Sequence, residues 1–126
     1  MHWKALLIVL TMALWPFGSE ALTRDDFLVR TTQDLVKLCS ASESDPLYQA
    51  AIGFCHGYAV GAYQYHQAII PGGEQTGFVC FPQPPPTRVE AIQMFLTWTK
   101  ENPQSMDDRA VDSIFRFLGT KFPCRR

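Results

Sequence analysis

The stretch Gly53-Phe54-Cys55-His56-Gly57-Tyr58-Ala59-Val60-Gly61, read as GFCHGYAVG, has glycine at its first, fifth and ninth positions. Glycine is the poorest ordinary helix former, yet no proline interrupts the chain between Pro46 and Pro71. In a helix, each step of four residues turns about 400°, a drift of about 40°. Gly53, Gly57 and Gly61 therefore line one nearly continuous groove without side chains. A neighbour can approach such a groove at backbone distance, which offsets the roughly 0.5–1 kcal/mol that an interior glycine costs relative to alanine. The three glycines are expected to be helix-packing positions. Their neighbour is either another element of the same chain or a second copy in a homodimer.

Cys55 and His56 suggest a thiol with its base, but adjacent helical residues diverge by about 100° and do not face each other. A nucleophilic dyad needs hydrogen-bond reach, so no catalytic residue is expected from this pair. Phe54, Tyr58 and Tyr65 adjoin the groove and read as an aromatic packing face with polar tips. Asp25–Asp26 and Asp107–Asp108 read as helix-start charges favoured by the macrodipole. Nothing matches a G-x-S-x-G, a P-loop or an H-E-x-x-H.

Working outward, Thr32 is placed to cap a short helix, QDLVKLCSA, with Leu35, Leu38 and Cys39 on one face. Asp45 and Pro46 have the chemistry of an N-cap and a first helical position for the long glycine-bearing helix. Residues 69–86, IIPGGEQTGFVCFPQPPP, are too rich in proline and glycine to be helical. Thr87 and Glu90 form a capping box for a third helix, RVEAIQMFLTWTKEN, with Val89, Ile92, Phe95 and Leu96 as its apolar stripe. Ser105 and Asp108 resemble a second box opening MDDRAVDSIFRFL, where Val111, Ile114, Phe115 and Leu118 form a face. Gly119 reads as its C-terminal stop. The fold class expected is all-α: a small disulfide-stapled helical bundle of about four helices with one long irregular loop.

The ends bear on compartment. His2 and Lys4 precede an apolar run from Ala5 to Phe17 that is short for a bilayer span, and Ser19 and Ala21 are small residues at cleavage spacing. Residues 1–21 are read as a signal peptide and 22–126 as one domain exported to the periplasm. Lys4 and Glu20 leave with the signal, so the net charge stays at −1. Such a chain, without basic clusters, has no footprint for nucleic acid. No later apolar run reaches membrane-spanning length, so no membrane association is expected after cleavage.

All four cysteines, Cys39, Cys55, Cys80 and Cys124, lie beyond the signal. An even count in a small exported domain favours two disulfides, with three pairings open. No pair has C-x2-4-C spacing and His56 and His66 make no H-x3-5-H pair, so no zinc site, other metal or cofactor is expected.

The cysteine contexts, LCSA, FCHGYAVGA, FVCFP and FLGTKFPC, with a helix ending ENP before the last, resemble the Rap/Tai immunity-protein family. The resemblance runs from about Leu35 to Cys124. It implies a mostly helical, disulfide-bonded periplasmic protein associated with type VI secretion. By this resemblance it would bind a secreted cell-wall amidase effector and block its active site, doing no chemistry itself. The physical candidate for the partner contact is the loop tip Pro71, Gly72, Gly73, Glu74 and Gln75, with Cys80 pinning one end; a tethered loop loses less entropy on binding. The alternative is a periplasmic structural or stress-response helical protein, a small chaperone without an effector.

Overall fold

The computed structural model describes residues 20–71 and 77–125. The expected signal peptide therefore lies outside the described residues up to position 19, as do Gly72, Gly73, Glu74 and Gln75. The described chain is all-α. It has α1 (Thr32–Cys39), α2 (Tyr48–Ile69), α3 (Arg88–Glu101) and α4 (Ala110–Lys121), with 3-10 turns at Arg24–Leu28 and Pro103–Ser105. An isolated antiparallel bridge joins Val79 to Pro123.

The doublet Thr31-Thr32 shows how a cap is chosen. Thr31, one residue before the expected cap, holds the extended conformation, and its hydroxyl accepts the Asp34 N–H at 3.3 Å. The Asp34 carboxylate returns the bond to the Thr31 N–H at 3.1 Å. Thr32 is instead the first helical residue, fully buried, and its hydroxyl donates to Ser113 Oγ of α4 at 2.7 Å. The orphan donors of this first turn need acceptors. The Thr32 and Gln33 N–H groups find the Asp108 and Met106 carbonyls at 2.8 and 3.0 Å. A helix of only eight residues is thus fastened at its start to the turn before α4. Its other end is fastened by the Cys39–Cys55 disulfide to α2.

The second disulfide, Cys80–Cys124, ties the irregular connection to the C-terminal tail. The Cys80 N–H also donates to the Phe122 carbonyl at 2.8 Å. The core comprises Leu35 and Leu38 of α1, Ala51 and Cys55 of α2, Ile92, Phe95 and Leu96 of α3, and Ile114, Phe117 and Leu118 of α4, with Val29, Val79 and Phe122 closing its ends. Phe117 is the hub of its aromatic part, with ring centroids 5.7 Å from Phe95, 6.2 Å from Trp98 and 6.3 Å from Phe122. Val29 takes a left-handed conformation, φ 43°. A β-branched residue is strained there, and burial of its side chain in the core offsets that strain.

Several expected boundaries move. The glycine-bearing helix starts at Tyr48, not after Asp45, because the Asp45 carboxylate is used in the turn before it, accepting the Leu47 and Leu22 N–H groups at 2.8 and 2.9 Å. The Thr87–Glu90 box forms as expected. Val89, however, is 60% exposed: the buried stripe of α3 begins at Ile92 and runs through Phe95 and Leu96 to Thr99. The Ser105–Asp108 box does not form. Ser105 closes a 3-10 turn with its hydroxyl on the Asn102 carbonyl, and Asp108 pairs with Arg116 at 2.8 Å. The face of α4 is Ala110, Ser113, Ile114, Phe117 and Leu118, with Val111 and Phe115 only half-buried. Gly119 lies inside α4, which continues to Lys121. A Cβ on it would sit 3.1 Å from the Phe78 ring, so close packing is its use.

Asp26 illustrates the electrostatics of the entry turn. Burial pushes its carboxyl pKa upward, but bonds from the Thr23 N–H and hydroxyl and the nearby Lys37 ammonium outweigh it and hold the group below 3.8. A depressed folded value adds stability above the unfolded pKa that is lost as pH falls through the folded one. Asp26→Asn should therefore cost about 1 kcal/mol at pH 7, as loss of a cap does. Thermal melts of both proteins should show the gap closing toward pH 2; a gap as wide at pH 2 as at pH 7 would contradict this assignment.

Candidate functional site

α2 is 22 residues long, and only Ala51 and Cys55 along it are buried. α1 packs on it through Ala51 and Cys55, while Tyr58, Tyr63 and His66 face α4 and the connection that follows α2. That leaves an outer face on which no described element packs. Among the described residues, a Cβ built on Gly53, Gly57 or Gly61 meets no atom within 4 Å. Of the two neighbours expected for the glycine groove, no same-chain element lies there among the described residues, and a second copy stays open. α1 meets α2 elsewhere, through the Cys39–Cys55 disulfide, and α4 meets it where His66 packs on Phe115.

The groove does not end at Gly61. Two further steps of four reach Tyr65 and Ile69, which are 69% and 59% exposed. At the opposite end Phe54 borders the groove, braced by Phe27 edge-on at 5.6 Å and by Tyr58 at 6.2 Å. Burial and, second, the Asp112 carboxylate push the Tyr58 phenol above its ordinary value, so it stays a neutral hydroxyl. Because each step of four drifts by about 40°, the result is a strip that winds about the helix, small residues first, with an aromatic ring and a branched aliphatic chain standing at its far end. Such a surface offers close backbone approach beside large rigid side chains, the combination protein interfaces use for affinity.

Next to that far end lies the connection carrying Phe78, itself half exposed. Its ring packs on His66 at 4.9 Å and on Phe115 at 5.9 Å, and His66 lies 4.8 Å from Phe115. His66 Nε2 is buried without a hydrogen-bond partner among the described residues. This histidine serves as a ring in an aromatic cluster with Phe78 and Phe115. Of the loop-tip candidates, Pro71 is exposed at the end of α2. The other four fall outside the described residues.

The remaining candidates resolve simply. Cys39 pairs with Cys55 and Cys80 with Cys124, Cα atoms 5.1 and 4.8 Å apart, choosing one of the three pairings open from sequence. Cys55 is fully buried, so the Cys55-His56 doublet points to two different environments. The buried hydroxyls of Thr32 and Ser113 tie α1 to α4 and meet no histidine. No cluster of three or more His, Cys, Asp or Glu suited to a metal ion occurs among the described residues. No described helix is long and apolar enough to cross a membrane.

Sequence reasoning found the glycines but missed Tyr65 and Ile69 as their continuation. The signal was available: both follow Gly61 by the same step of four. Periodicity tells which residues share a stripe and not whether anything covers it.

No curated protein and no solved structure matches the chain. Residues 31–124, spanning both disulfides and all four helices, match the family model described as Rap1a immunity proteins, and the chain belongs to that family.

Proposed function

We propose that this protein acts in the periplasm as the immunity partner of a secreted peptidoglycan amidase, and that it blocks the enzyme's cleft by docking through the outer face of α2 and the connection after it. The observation that carries this reading is the strip Gly53-Gly57-Gly61-Tyr65-Ile69, left uncovered by the described residues, on the 22-residue α2 of a family member. A binding protein of this kind needs a rigid scaffold more than a reactive group. The two disulfides supply the rigidity, which limits the entropy lost on association.

Tyr65 is the expected anchor. An exposed tyrosine brings large contact area at low rotamer cost, and the central aromatic anchors of interfaces contribute about 2 kcal/mol or more. Tyr65→Arg should weaken binding of a cognate peptidoglycan amidase by about 30-fold or more. The thermal midpoint should not move, because Tyr65 is 69% exposed in the free protein. Titration calorimetry with the purified pair measures the first, and a melt measures the second. An unchanged dissociation constant for both Tyr65→Arg and Ile69→Asp would remove this face from the interface. Absence of any complex with secreted peptidoglycan amidases of the same organism would remove the target.

A further inference from the structure

The opposite side of α2 borders a cleft of about 270 Å³ that opens between α2 and the start of α3. Its deepest residues are core side chains, Leu35, Phe95, Ile114, Phe117 and Leu118, all nearly inaccessible to water. Ala59, Val60 and Ala91 form its walls, with Phe81 of the disulfide-pinned connection on one side. An apolar void of about 150 Å³ already admits a benzene-sized guest. This one has room for a ring or a medium-length alkyl chain, at the small end of ligand pockets.

Arg88 brings a positive charge to the cleft, and among the described residues no aspartate or glutamate lines it. The guanidinium of Arg88 makes no ion pair among the described residues, where the pairs are Lys37–Asp26, Arg109–Asp112 and Arg116–Asp108. Glu90, two residues on, is turned to the Thr87 N–H and hydroxyl at 2.7 and 2.9 Å and stays out of the lining. An apolar interior with an unpaired cation at the cleft fits a ligand whose body is hydrocarbon and whose single charge is negative. A charged hydrogen bond from a guanidinium to a carboxylate is among the stronger polar contacts.

We propose that this cleft binds a medium-chain fatty carboxylate, the alkyl chain lying against Ile92, Phe95 and Leu118 and the carboxylate on Arg88. The site is distinct from the docking strip: His56, Val60 and Tyr63 of α2 line the cleft, whereas Gly57, Gly61 and Tyr65 do not. The inference therefore stands whether or not the amidase reading does.

The test is calorimetric titration of the full protein with decanoate below its micelle concentration, beside decanol and decyltrimethylammonium. The expected order is saturable one-to-one binding of decanoate, tighter by about tenfold than decanol, with the cationic amphiphile weakest. Arg88→Gln should erase the preference for decanoate and leave decanol unaffected. Ala91→Leu, a helix-compatible change that fills the cleft, should weaken both by about tenfold or more while circular dichroism stays unchanged. No saturable binding of decanoate, equal binding of all three amphiphiles, or binding insensitive to Ala91→Leu would each overturn the proposal. Loss of amidase binding in Ala91→Leu without any decanoate binding would also overturn it, and would make the cleft a socket for a protein side chain.

Discussion

Replacing Gly53, Gly57 and Gly61 together by alanine should raise the thermal midpoint by roughly 8–16 °C. Each exchange removes backbone freedom from the unfolded chain and restores helix propensity, together about 0.5–1 kcal/mol per site where the new methyl has room. Among the described residues there is room at all three: no atom lies within 4 Å of the Cβ position. The sum is about 2 kcal/mol, and in a domain of this size each kcal/mol moves the midpoint by roughly 4–8 °C. Gly119 is the internal control. Its Cβ would meet the Phe78 ring at 3.1 and 3.3 Å, so the ring must give way and the helical gain is spent on that shift. Gly119→Ala should be close to neutral. The triple variant should also lose affinity for its partner, because three methyls stand where a backbone would approach. Stability and binding would then move in opposite directions, which a mere loss of folding cannot mimic. A triple variant with an unchanged or lowered midpoint would show that something does lie against this strip in the free protein.

A glycine stripe kept at a cost to its own helix is a local conflict, and conflicts of this kind cluster at functional surfaces. The conflict itself is visible in the amino-acid order. Its resolution is not, because whether a stripe is covered depends on elements distant in sequence. The same limit explains the other differences. Ser113 is a polar residue outside the apolar face expected for α4, yet it is buried because Thr32 supplies a hydroxyl from 81 positions away. Val89 looks like core by its spacing and is exposed, because α3 begins before it reaches the other helices. Thr31 and Thr32 carry the same side chain, and only the Asp34 carboxylate three residues after Thr31 selects the cap. Where a signal is local and reciprocal, as in Thr87 with Glu90, the order of residues sufficed. The disulfides fall between: parity and compartment predict two, while the pairing is a property of the packed helices. The cleft beside Arg88 was the least legible feature, since its lining is drawn from every helix and from the connection after α2.

Those two disulfides should contribute comparable stability and differ sharply in accessibility. Cys39–Cys55 closes 16 positions and Cys80–Cys124 closes 44. Loop-closure entropy assigns them about 3 and about 4 kcal/mol respectively. Burial narrows the difference, because Cys39 and Cys55 are 6% and 0% exposed within the core, and replacing both by alanine also leaves a small void worth about 1 kcal/mol. Each double alanine variant should thus lose about 3–4 kcal/mol, enough to lower the midpoint by about 15 °C or more and to remove much of a small domain's margin. Reduction of the intact protein should be ordered. Cys80 and Cys124 are half-buried near the C-terminus, where the bridge from Val79 to Pro123 can open locally. A dithiol reaches them through that local opening. The sulfurs of Cys39 and Cys55 become accessible only when α1 separates from α2, which amounts to global unfolding. Timed alkylation under dithiothreitol, read by mass spectrometry, should label Cys80 and Cys124 while the helical signal persists. Cys39 and Cys55 should be labelled only as that signal is lost. If Cys39 and Cys55 were labelled first, α1 would be a mobile appendage instead of the element that the core closes around; if all four were labelled together, the Val79–Pro123 bridge would not open locally.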